Sequence, residues 1–129
     1  MKLNPEIVIC PICHKYTKFV NGSVVYGPRR KDLAKKWFYV CFDCDTRVGC
    51  HPDTARPLGT PAGRKLRELR SKVHSVFDKI WKQRCMRRSE AYQWLMIKLR
   101  IDVDQCHIGK FDENLCIQAI QVCKEYLGE

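Results

Sequence analysis

Cys10-Pro11-Ile12-Cys13 returns, 27 residues further on, as Cys41-Phe42-Asp43-Cys44. Both are Cys-x2-Cys, the spacing at which two sulfurs on one tight turn reach a single metal ion. Ile7-Val8-Ile9 precedes the first pair and Trp37-Phe38-Tyr39-Val40 the second, so each pair is expected where a strand meets a turn. Two such turns side by side complete a tetrahedral set, which points to one structural zinc ion held by Cys10, Cys13, Cys41 and Cys44. A closed four-thiolate site leaves no position for water, so the metal is expected to hold the fold and not to catalyse. Iron would use the same thiolates, ordinary buried thiols also compete, and a redox pair would need a βαβ context that this β-rich sequence does not supply. His14 after the first pair and Cys50-His51 after the second are alternative ligands.

The metal answers a problem of size. About fifty residues bury too little apolar surface to fold unaided, whereas the whole chain of 129 residues has room for one or two cores. Nine cysteines would suit a disulfide scaffold in a secreted protein. The opening Met1-Lys2-Leu3-Asn4-Pro5-Glu6, followed by only three apolar residues, does not read as a signal peptide, and no apolar run approaches the roughly 18 residues of a membrane span. A cytoplasmic protein with reduced or metal-bound cysteines, and no membrane partner, is therefore expected.

Outward from the cysteine pairs, Tyr16 to Val20 and Ser23 to Gly27 read as strands joined at Asn21-Gly22, a two-residue hairpin signal. Gly27 to Lys36 reads as an exposed loop or short helix, and residues 37–40 as a third strand. Residues 1–52 then form a zinc-ribbon module and the Pro/Gly-bearing residues 53–60 a connection, leaving 61–129 as a helical module. Thr60-Pro61 resembles an N-cap with proline at the first helical position. Leu66, Leu69, Val73, Val76, Phe77 and Ile80 recur at helical spacing, predicting a helix over Pro61 to Trp81. A second is predicted from Ser89, with Tyr92, Leu95, Met96 and Leu99 on one face. A third follows Asp112, with Leu115, Ala119, Ile120, Cys123 and Leu127 inward. The fold class is α+β, a β-hairpin plus third strand followed by about three helices.

The formal charge is +10, or +8 once four thiolates hold a divalent ion, which suggests an acidic partner such as nucleic acid. The charge is segregated. Residues 61–100 hold twelve basic and three acidic side chains, and residues 101–129 two basic and six acidic ones. Two sets of cations are candidates for phosphate contact: Arg29, Arg30, Lys31, Lys35 and Lys36 on the ribbon, and Arg64, Arg67, Arg70 and Lys72 on the first long helix. Arg67, Arg70, His74 and Asp78 fall on one flank of that helix, where they would serve either as a phosphate site or as a solvated face. Cys106, His107, Cys116 and Cys123 could approach one another as a second metal site, but free cysteine commonly packs as a small hydrophobe.

Cys10 to Cys13, Val25-Tyr26-Gly27, Val48-Gly49-Cys50-His51 and Arg56 to Thr60 together resemble the zinc-finger-containing domain family found in bacteriophages and prophages. The similarity continues through Leu69-Arg70, His74, Phe77-Asp78, Trp81, Ser89-Glu90-Ala91-Tyr92-x-Trp94-Leu95 and His107-Ile108-Gly109-x-Phe111-Asp112. The resemblance implies a zinc finger and a phage or bacterial setting, and no particular activity. The expected function is a non-enzymatic nucleic-acid-binding protein. A phage-encoded adaptor or inhibitor that binds a host protein is the alternative, and a small hydrolase or nuclease around His74, Asp78 and His51 ranks last.

Overall fold

The structure, a computed structural model, describes residues 3–84 and 86–129; the first two residues of the module expected over 1–52 lie outside it. The chain divides into two compact units, Met1–Arg64 and Lys65–Glu129. The architecture is α+β, with a small antiparallel sheet in the first unit and three long helices from residue 64 onward.

In the first unit β1 (Lys18–Asn21), β2 (Trp37–Cys41) and β3 (Thr46–Gly49) form an antiparallel sheet in that order. Phe19 faces Tyr39 across the first pair and Cys41 faces Thr46 across the second. Hence the hairpin is β2–β3, turning at the second cysteine pair, and β1 is the third strand. Residues 23–27, expected as a strand, are instead helix α1 (Gly22–Tyr26), and Lys31–Ala34 forms a short helix α2. The Asn21-Gly22 expectation fails for a local reason. The Asn21 side chain accepts from the Ser23 amide and so starts a helix. Gly22 is required by proximity: a Cβ there would lie 1.7 Å from the Leu33 carbonyl oxygen. The Gly22 amide donates to the Lys36 carbonyl at 2.7 Å, closing the excursion before the chain enters β2.

Ile7-Val8-Ile9 contributes one bridge, Ile9 to Tyr16, flanking the first cysteine turn. The segment after β3 folds back on the sheet. Cys50 bridges Pro57, and Ala62 exchanges both backbone hydrogen bonds with Arg47 at 3.0 Å. Tyr39 is the buried tie. Its hydroxyl accepts from the Glu6 amide at 2.8 Å and donates to the Ala55 carbonyl, joining the chain before the first turn, the sheet and the returning segment.

The exchange between Ala62 and Arg47 also corrects the helix start. With Ala62 committed to the strand and Pro61 buried, helix α3 begins three residues beyond Pro61 and spans Arg64–Gln83. Helix α4 covers Arg88–Leu99, ending on Arg100 in the left-handed conformation. A 3-10 turn at Ile108–Lys110 leads to α5 (Glu113–Leu127), whose cap is Asp112, accepting from the Leu115 amide at 2.8 Å. Val73, Phe77 and Ile80 of α3, Ala91 and Leu95 of α4, and Cys116, Ala119 and Cys123 of α5 close the core of the second unit. Ile108 and Phe111 of the intervening turn are buried with them.

Candidate metal centre

The four sulfurs of Cys10, Cys13, Cys41 and Cys44 converge, all within 4.8 Å of one another, with Cys13 Sγ and Cys41 Sγ 3.6 Å apart. A tetrahedral zinc site with Zn–S bonds near 2.3 Å separates its sulfurs by about 3.8 Å, so the donor set and its spacing fit zinc.

The two turns are built alike. Cys10 accepts from the His14 amide through its carbonyl and donates to the Lys15 carbonyl, both at 2.9 Å, closing the first turn. The second turn joins β2 to β3. Immediately after each pair the backbone enters the left-handed region, at His14 (φ 61°) and at Asp45 (φ 55°). That reversal lets both cysteines of a pair present sulfur to the same point. It also accounts for His14, an exposed hinge of the turn that is outside the cluster of converging ligand atoms. Cys50 and His51 are likewise outside that cluster, and burial pushes the Cys50 thiol up to about 11.

Thr46 completes the site. Fully buried, it places its hydroxyl oxygen 3.2 Å from Cys10 Sγ. Burial opposes ionisation of Cys10, but the Thr46 hydroxyl and the amides of Cys13 and Ile12 outweigh it, and the thiol falls from 9.0 to about 6. Burial and the neighbouring sulfurs push Cys44 up to about 12. Cys41 is also raised: the Cys44 amide lowers it, but burial and hydrogen bonding with Cys13 and Cys10 prevail. Four thiols crowded together therefore ionise unequally on their own, and a divalent cation at their centre removes the repulsion that holds the later ones back. Thr46 had no signal in the cysteine spacing; its partner across the hairpin, Cys41, is visible only once the strand register is known.

Among the described residues no second group of three metal-ligating side chains comes together. Cys116 and Cys123 are fully buried in the helical core and pushed up to about 11 and about 12, chiefly by burial. Cys106 is buried as well, while His107 is exposed.

Among the candidate phosphate ligands, Arg29, Arg30, Lys31, Lys35 and Lys36 are all exposed along the excursion between β1 and β2, with Arg30 paired to Asp32 at 3.2 Å. On α3, Arg64 and Lys72 are exposed and Arg67 is half-buried. Arg70 is half-buried and donates through Nε to the Phe111 carbonyl at 2.9 Å, tying α3 to the turn before α5. His74 is half-buried and lowered by burial, against the pull of Asp78 and with the push of Arg88. Asp78 accepts from Trp81 Nε1 at 3.1 Å.

Comparison with curated proteins and with solved structures gave no match. A family described as a zinc-finger-containing domain matches residues 6–126, from before the first cysteine turn to the last helix. With its four cysteines converged at zinc-binding distances, the chain belongs to the zinc-finger-containing domain family and is a zinc-binding protein.

Proposed function

We propose that the chain is a non-enzymatic nucleic-acid-binding module of phage or prophage type, its ribbon held by one structural zinc ion. The observation that carries this is the excursion between β1 and β2. There five cations within residues 27–36 stand exposed on a short helical platform pinned to the sheet by the Gly22 to Lys36 hydrogen bond. Cations so spaced on an ordered backbone suit contact with successive phosphates. Arg64 and Lys72 supply further charge on α3. The cytoplasm of a bacterial cell is the matching setting, and no helix among the described residues is long and apolar enough to cross a membrane.

Engagement of about five phosphates predicts a slope of log K against log salt near −4 to −5. Titration of a labelled oligonucleotide across a range of salt concentrations checks it, and a flat dependence or no binding at low salt rejects the proposal. The exposed Ile12, Tyr16 and Phe42 on and beside the cysteine turns support a second reading, an adaptor or inhibitor docking on a host protein. A stoichiometric protein complex that survives nuclease treatment would favour that one.

A further inference from the structure

The basic excursion also walls a cavity. Between it, the sheet and the chain after β3 lies a space of about 580 Å3, within the usual range for a ligand pocket. It is lined by the aromatic rings of Tyr26 and Phe38, by Leu58, and by Lys35, Lys36 and His51. Tyr26 and Phe38 meet edge to face at 5.6 Å, so the aromatic wall is held in place. Gly49 helps keep the space open, since a side chain there would grow towards Phe38 and Leu58, whose nearest atoms lie 3.4 and 3.8 Å from the Cβ position. Leu58 is 54% exposed although it lines an apolar wall.

We infer that this cavity receives one unpaired base of a single-stranded nucleic acid, whose phosphates run along Lys35 and Lys36 towards Arg29 and Lys31. The inference rests on the nucleic-acid reading above and narrows it to strands with accessible bases. An aromatic and aliphatic recess beside a row of cations is the combination that single-strand binders use, with charge tracking the backbone and rings meeting the base. A base stacked and paired in a duplex cannot enter such a recess. Two carboxylates, Asp32 and Asp53, also line the space; Asp32 is paired with Arg30 at 3.2 Å, and the five cations of residues 29–36 outnumber the two acids.

The test uses the zinc-loaded full chain and labelled strands of roughly 20 nucleotides at about 50 mM salt. The strands are single-stranded DNA and RNA of mixed sequence, the DNA duplex, and a DNA strand of abasic sites. The intact single strand that binds better should bind about tenfold more tightly than the abasic strand, the increment of one stacked base. Leu58→Trp, at an exposed position, and Gly49→Val each fill the cavity and should remove that preference while leaving the salt slope unchanged. Zinc content and circular dichroism confirm that each variant is folded. Equal binding of intact and abasic strands, tighter binding of the duplex, or folded filling variants that keep the preference would overturn the pocket and leave the nucleic-acid reading standing. Absence of binding to every strand would overturn both.

Discussion

In the ribbon unit four cysteines converge on one point, drawn together by two left-handed turns and a buried threonine. In the helical unit Cys106, Cys116 and Cys123 are buried among Phe77, Leu95, Ile108 and Phe111, and burial raises each thiol above its ordinary range. The residue type is the same and its surroundings differ. At Cys10 amides and a hydroxyl point at sulfur and favour the thiolate; at Cys123, where burial acts alone, the thiol stays protonated and packs. The two units are correspondingly held by different forces, the ribbon by metal coordination and backbone bridges and the helical unit by apolar burial.

The strongest way to break this comparison is to remove the metal. Chelation, or Cys44→Ser, should unfold the ribbon while the helical unit keeps its helix signal, because zinc binding contributes about 10–16 kcal/mol to folding in comparable small modules. Far-UV circular dichroism alongside Trp37 fluorescence, read in a background with Trp81 and Trp94 replaced by Phe, would separate the two; joint collapse of both units would contradict the division. The reciprocal change, Phe77→Ala, deletes a fully buried ring and should cost the helical unit about 3–5 kcal/mol, with zinc content at its original value. Urea denaturation followed by the helix signal, combined with elemental analysis, measures both halves of that statement.

A smaller effect is expected at Thr46. Thr46→Val keeps the shape and removes the hydroxyl facing Cys10, so zinc affinity should fall about ten- to a hundredfold in a competition titration with a chromophoric chelator. The same contact has a sign in pH. The Thr46 hydroxyl and neighbouring amides hold the Cys10 thiol down to about 6 from an ordinary 9.0, so protons compete with zinc at this sulfur as pH falls through about 6 and zinc should be released there. Thr46→Val should release zinc at a higher pH than the parent in the same chelator titration. Smallest are the backbone changes. His14→Gly in the ribbon and Arg100→Gly in the helical unit each relieve a left-handed residue, and each should stabilise its own unit by about 0.5 kcal/mol in thermal melts.

Much of this is legible in the order of residues alone. The paired cysteines announced the metal site because zinc requires short, local spacing within each pair. The inward stripes of α3 and α5 were legible because helical periodicity is local too, recorded in residues three and four apart. Asn21-Gly22 shows where local reading stops. The dipeptide suits a hairpin turn, yet Gly22 serves close packing against Leu33 and the strand pairs with residues 37–40 instead. Pro61 carried a good helix-start signal that lost to Ala62's exchange with Arg47.

The sequence by itself thus determined the four cysteines, the α+β class with a β-rich part before the helices, the helical core stripes and the basic segment at 29–36, but not helix α1 at 22–26 or strand β3 at 46–49. Tertiary structure decided which strand neighbours which, that Thr46 stands behind Cys10, that Tyr39 ties three chain segments, and that the basic excursion walls a cavity. The first group is recorded in local spacing, two residues between the cysteines of each pair and three or four between the members of a helical stripe, which survives in any linear reading. The second depends on contacts set by strand register and chain reversal, such as Tyr39 with Ala55 and Cys10 with Thr46.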